Sequence, residues 1–203
     1  LIFAIKAYLY NKGEYSPESE ASFAPALCNR IDRNTGGLVV AAKNAAALRE
    51  MNRLIREGLI DKRYLCAVHG RPVPPKATKK AYLRKDSVRK TVTVTEKRTD
   101  GAKEIVTEYK TLKYSKEKDL SLLEVRLHTG RTHQIRAHMA YLGYPLLGEG
   151  KYAKNAADRQ MGYKYQALYS YRIGFRVPDG PLSYLDGRYF EADRGKIDFL
   201  KLF

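Results

Sequence analysis

The sequence reads as a β-rich middle with helical segments outside it, a pattern consistent with an α+β fold. Three observations carry the reading. Residues 88–128 are rich in β-branched and alternating segments. Apolar residues recur at helical spacing only outside that region. Turn-forming Asp, Gly and Pro crowd the C-terminal stretch around one short strand-like run. At 203 residues the chain suits one domain, large enough to bury about 70% of the surface its unfolded form exposes.

The elements follow in chain order. Leu1 to Tyr10 reads as a short amphipathic helix. Asn44 is a good N-cap for a helix over Ala45 to Glu57 that stops at Gly58, with Leu48, Met51, Leu54 and Ile55 as its apolar stripe. Arg71 to Pro75 is a loop. Val88 to Thr95 suits a pleated strand, and Lys103 to Tyr114 follows. Leu120 to His128 alternates Leu123, Val125 and Leu127 with Glu124 and Arg126, the pattern of a half-buried strand. A second helix is expected from Thr132 to Leu142, ending at Gly143, and a last strand near Gly187 to Ala192.

Charge bounds the function. Lys and Arg number 38 against 22 Asp and Glu, for a formal net charge of +16. Residues 71–118 alone hold 15 basic and 6 acidic residues. Such an excess points to a polyanionic partner, nucleic acid above all. Lys79, Lys80, Lys85 and Lys90 form the peak, and a basic β-meander there would follow a phosphate backbone by point charges. A solvated hairpin protected from edge aggregation explains the same lysines equally well. No apolar run approaches the ~20 residues of a membrane span. Cys28 and Cys66 cannot build a disulfide framework, so a reducing, cytoplasmic setting is expected. The histidines at 128, 133 and 138 are spaced by five. About 500° of helix leaves His133 and His138 roughly 140° apart, a poor metal pair.

Two segments carry chemistry. Cys28-Asn29-Arg30-Ile31-Asp32-Arg33-Asn34-Thr35-Gly36-Gly37 sets a carboxylate between two arginines ahead of an apolar run. Arg30 and Arg33 would keep Asp32 ionised, ready as nucleophile or base. An isolated Arg–Asp–Arg group is also a common structural pairing. In the second segment, Thr129-Gly130-Arg131-Thr132-His133-Gln134-Ile135-Arg136 crosses from a strand into a helix start. Free N–H groups and side-chain donors there suit phosphates or base edges.

Taken in order, these segments resemble the motifs of the RluA-type pseudouridine synthases. RIDRNTGGLVVAAKN is similar to the family's H-R-L-D-R-x-T-S-G-L-L-x-x-A-K-[ND]. DKRYLCAV resembles its K-x-Y-x-A strand. TGRTHQIRAHMAYLGYPLLGEGKY matches its third motif almost throughout, and Gln166-Ala167-Leu168 resembles the strand after it. The likeness covers roughly residues 25 to 176. Departures are Asn29 for His, Ile31 for Leu, Gly36 for Ser and Glu149 for Asp.

The resemblance implies a bent, mixed, mostly antiparallel sheet with flanking helices and a central catalytic cleft. It implies an isomerase that turns uridine into pseudouridine in RNA, ribosomal RNA first and transfer RNA second, as a monomer without cofactor or metal. Asp32 would be the catalytic aspartate, its attack on C1′, addition to C6 and removal of the 2′ proton all remaining open. Tyr64 would stack on the target base and act in the proton-transfer step, and Arg136 would pair with Asp32. Arg30 would enter the space a flipped base vacates. Arg33 and the hairpin lysines would contact RNA, and Arg131, His133 and Gln134 would contact RNA or scaffold the site. The chain is expected to be one catalytic domain, 1–203, without the family's opening strand or an S4 domain. A non-catalytic RNA-binding protein or RNA chaperone on the same fold is the alternative.

Overall fold

The computed structural model of the chain describes residues 1–18 and 23–203. In order, its elements are α1 (Ile2–Asn11), β1 (Ala26–Leu27), β2 (Gly36–Gly37), β3 (Ala41–Ala42), α2 (Ala45–Arg56), β4 (Ile60–His69), β5 (Lys76–Asp86), β6 (Thr91–Thr95) and β7 (Lys103–Ser115). Then come β8 (Leu120–Leu127), α3 (Gln134–Tyr141), α4 (Ala156–Gln160), β9 (Leu168–Phe175) and β10 (Tyr189–Glu191). Short 3-10 turns fill the C-terminal stretch, ending at Asp198–Leu202. No helix among the described residues is long and apolar enough to cross a membrane.

Strand β4 shows why the sheet is covered on two sides. Tyr64 to Val68 are five successive buried residues. Successive side chains in a strand point to opposite faces, so both faces must be covered. The main sheet runs β10-β9-β4-β8-β7-β5-β6, with antiparallel neighbours along that path, and β2 pairs with β9 in parallel. It is therefore mixed and mostly antiparallel. On one face Tyr64, Cys66 and Val68 pack with Tyr109, Leu123, Val125 and with Ile135 and Met139 of α3. Leu54 and Met51 of α2 cover Ile60, Ile173 and Phe175. On the other face Leu65, Ala67 and Leu122 meet Tyr171, Ile197 and Phe199.

A register shift in the β4–β9 pairing explains Tyr171. Arg63 pairs with Arg172 but Tyr64 pairs with Ser170, so Tyr171 is the extra residue of a bulge. Its side chain goes to the far face, where its hydroxyl bonds Glu124. That face also carries an ion ladder. Arg63 joins Asp61 and Glu124, and Arg126 joins Asp61 at 2.7 Å.

Local signals placed α2 well. The Asn44 side chain accepts the Ala47 N–H at 2.8 Å, and Gly58 follows the helix at φ +71. Two expected boundaries move. Val88 and Arg89 are not strand. The Asp86 carboxylate accepts both their N–H groups, Lys90 takes φ 51, and the chain turns before β6 begins. Helix α3 begins at Gln134 rather than Thr132, because His133 stands at φ 52 in the left-handed region.

His138 fastens α3 to the sheet. It is fully buried, and its Nδ1 meets the Thr107 hydroxyl of β7 at 3.0 Å. Burial, with a lesser push from the Lys79 charge, brings its imidazole down to about 4. The folded chain thus holds His138 neutral where the unfolded chain, titrating near ~6.5, takes up a proton. Stability from this group is complete above that unfolded value and is lost as pH falls toward 4. The loss should reach about 3 kcal/mol. Urea unfolding across this pH range should give a flatter stability profile for His138→Gln than for wild type; parallel profiles would refute the assignment.

Candidate active site

The segment between β1 and β3 is a closed loop that presents Asp32. Its ends are pinned by the β1–β3 pairing of Ala26 with Ala42, and by Asn29 Oδ1, which accepts the Val40 N–H at 2.8 Å. Asp32 opens a tight turn: its carbonyl accepts the Thr35 N–H at 3.0 Å, and Asn34 takes the left-handed φ of 65 that Asn tolerates. Gln166 ties this turn to the approach of β9, donating to the Arg33 carbonyl at 2.7 Å and to the Thr35 hydroxyl at 3.2 Å. The two glycines that follow have a steric cause. A Cβ on Gly37, at φ +111, would fall 2.1 Å from the Ser170 carbonyl oxygen. One on Gly36 would fall 2.6 Å from the Tyr169 ring, which occupies the space a serine side chain would need.

Ile31 packs against the core cluster that includes Tyr64, Ile135 and Leu168, and the neighbouring Asp32 lies on the wall of a cleft of about 480 Å³. Tyr64, Lys62, Leu127, Leu83, Lys85, Lys103, Gly130 and Arg131 line the same cleft. Tyr64 is 6% exposed. Burial pushes its phenol up; the Ser170 hydroxyl tempers the rise and the Asp32 charge adds to it.

Behind the cleft lies a buried charge cluster. Arg136 of α3 is 6% exposed and Glu149 is 3% exposed. The guanidinium grips Glu149 with two bonds, Nε to Oε2 at 2.8 Å and Nη2 to Oε1 at 2.7 Å. Its remaining nitrogen, Nη1, faces Asp32 Oδ2 at 4.0 Å, a charge contact longer than a hydrogen bond. Burial alone would raise the Glu149 carboxyl. The Arg136 hydrogen bond, the Lys151 and Tyr152 N–H groups and the Arg136 charge outweigh it and hold the group below the usual carboxylate range. The Tyr152 ring lies 5.6 Å from the guanidinium, and its hydroxyl meets His133 Nδ1 at 2.6 Å.

With this geometry in hand, comparison with known proteins is decisive. Residues 4–141 match the model of a family described as RNA pseudouridylate synthase. The chain belongs to that family. It is 42% identical over 163 residues to an uncharacterised RNA pseudouridine synthase of Mycoplasma pneumoniae, covering 80% of this chain and 50% of that protein. It is 35% identical over 160 residues to ribosomal large subunit pseudouridine synthase D of Zymomonas mobilis, covering 76% and 49%. The chain spans about half the length of the curated relatives it matches. Among solved structures, human RNA pseudouridylate synthase domain containing 1 shares the fold, with a TM-score of 0.64 at 22% identity over 88% of this chain and 79% of that one.

Within this pseudouridylate synthase fold, the residues expected at the site divide. Asp32 and Tyr64 line the cleft, and Arg136 reaches Asp32 from behind it. Arg30 and Arg131 are exposed residues of the cleft wall. Neither Arg30 nor Arg33 pairs with Asp32, contrary to expectation: both are exposed, and among the described residues the cation in ion-pair contact with Asp32 is Arg136. Arg136 in turn is held chiefly by Glu149 rather than by Asp32. Gln134 is not available to RNA. It is 2% exposed; its oxygen accepts from Thr129 and from the Arg131 N–H, and its nitrogen donates to Val106 and Thr107. His133 is turned toward Tyr152, not into the cleft. The hairpin lysines do not share a face. Lys79 and Lys85 alternate with Lys80 along β5, so Lys80 points to the opposite side, and Lys90 sits in the turn. Only Lys85 of the four lines the cleft.

Glu149, Tyr152 and Lys62 are the residues that sequence reasoning left without roles. All three stand in motifs already quoted, which was the available signal. Removing Glu149 should leave the Arg136 charge buried and unpaired, at a cost of about 3–5 kcal/mol. Chemical unfolding of Glu149→Ala should show that loss, and a variant as stable as wild type would mean the pair does not organise the site.

Proposed function

We propose that this chain carries the catalytic centre of an RNA pseudouridine synthase that isomerises uridine, in ribosomal RNA first and in transfer RNA as the second candidate. One observation carries the reading: Asp32 and Tyr64 line one cleft of about 480 Å³, with Arg136 reaching Asp32 from behind it; the cleft is within the size range of small-molecule sites and suits a single extruded nucleotide. The ribosomal preference is supported by the Zymomonas relative, a ribosomal large subunit pseudouridine synthase. A cytoplasmic, monomeric enzyme is part of the same reading.

In this reading the base leaves its helix or loop and enters the cleft. Tyr64, packed in the apolar core and lining the cleft, stacks on it. Asp32 acts on the nucleoside as the uridine N1–C1′ bond breaks, the base rotates, and C5 bonds to C1′ in place of N1. The proton from C5 is replaced by one on N1, so product and substrate contain the same atoms and neither a cofactor nor a metal is needed. Arg136 stands behind Asp32 and orients it through the 4.0 Å charge contact. Arg30, exposed at the cleft wall, enters the space the base leaves.

Asp32→Asn should lose pseudouridine formation on total RNA, mapped by carbodiimide primer extension, while still binding RNA. Residual turnover above about a tenth of wild type, a barrier change under ~1.4 kcal/mol, would sink the catalytic assignment. Wild-type protein that binds RNA but makes no pseudouridine would favour the chaperone alternative instead.

The cleft geometry also sorts the lysines. Neutralising Lys85 and Lys103, which line the cleft, should flatten the salt dependence of RNA binding by about 0.7 for each phosphate no longer neutralised. Neutralising Lys76 and Lys80 on the opposite face of β5 should leave the slope near wild type. Equal effects from the two pairs would refute a one-sided docking surface.

A further inference from the structure

Lys62 is a cation without a partner among the described residues. It stands on the central strand β4, two residues before Tyr64, and both side chains line the same cleft. Its neighbours in sequence, Asp61 and Arg63, point to the other face and belong to the ion ladder there. Burial lowers the pKa of Lys62, and no acidic side chain counters that effect. Asp32, on the same cleft wall, does not neutralise it; the ion pair of Asp32 is with Arg136.

A half-buried ammonium loses hydration and here regains nothing from the protein. An apolar side chain of the same length would suit such a place better for stability. Gly130 lies close to the ammonium: a Cβ there would be 3.3 Å from Lys62 Nζ, and the lysine end would have to shift by a few tenths of an ångström. The next residue, Arg131, lies on the cleft wall with its side chain exposed. One cation at depth and one at the surface thus flank Gly130, where the chain passes from β8 toward α3.

We propose that Lys62 and Arg131 clamp a phosphodiester of the RNA beside the nucleotide held in the cleft, with Lys62 as its inner anchor. This rests on the reading of the cleft as an RNA site and names the group that makes its entry selective for a backbone-linked nucleotide. A compact ammonium with three free donors suits a phosphate oxygen, and it offers a planar base little. The extruded nucleotide of any RNA brings a phosphate on each side, so the contact adds affinity without reading sequence.

The test uses the whole chain and a fluorescein-labelled oligouridylate, with binding followed by anisotropy at low salt. Lys62→Met should bind about tenfold more weakly or worse, the loss expected for one charge-assisted contact. Its melting temperature should equal or exceed that of wild type, because the uncompensated charge is gone. Lys62→Arg should retain most of the affinity, and Lys116→Met, in the exposed β7–β8 turn, should match wild type. The proposal is overturned if Lys62→Met binds as wild type does, if it melts lower, which would mark a structural lysine, or if Lys116→Met weakens binding as much. It is also overturned if wild type does not bind the oligouridylate at all. Pseudouridine formation on total RNA is scored separately: its absence in wild type would remove the enzymatic reading while leaving the phosphate clamp to stand or fall on the binding data.

Discussion

A guanidinium cannot give up its proton under ordinary conditions, so a buried arginine must find an anion or destabilise the fold. Arg136 finds Glu149, and the arrangement of the site follows from that pair. Two of its nitrogens are committed to Glu149, which holds the guanidinium plane and leaves Nη1 directed at Asp32. Glu149 is in turn held by the N–H groups of Lys151 and Tyr152. Tyr152 then reaches His133 and the β6 residue Val92. One ion pair therefore joins α3, the segment after it, the edge of the sheet and the loop that carries Asp32. The glutamate in place of the aspartate that the family motif favours is long enough to make both bonds.

The distribution of charge is a consequence of strand geometry. The net charge of +16 suits a polyanionic partner, yet period-two alternation sends adjacent lysines to opposite faces. On β5 it separates Lys80 from Lys79 and Lys85. On β4 it separates Lys62, in the cleft, from Asp61 and Arg63, in a neutralised ladder on the back. Positive charge left unpaired at the cleft is thus a small part of the total, and its position says more than the count does.

Much of the fold was legible locally. Asn44 and Gly58 bound α2 because caps act through hydrogen bonds within one turn. Alternation in Leu123 to Leu127 located β8 because one face of that strand is buried and the other carries ions. The start of α3 was not legible, since the left-handed turn at His133 is accompanied by a bond from its ring to a tyrosine nineteen residues away. The true start of the strand expected from Val88 was missed for a local reason: Asp86 captures two N–H groups that would otherwise extend the ladder.

By itself the sequence determined the class of fold and the family, and it singled out Asp32, Tyr64 and Arg136, of which the first two line the cleft. Only the tertiary structure decided which of them touch. Arg30 and Arg33 adjoin Asp32 in the chain but point to solvent, while Arg136, about a hundred residues on, supplies its cation. Direction in an irregular loop is set by what packs beneath it, here Ile31 in the core and Gln166 on the turn. Neighbours along the chain share a position; neighbours in space share a field, and it is the field that acts on Asp32.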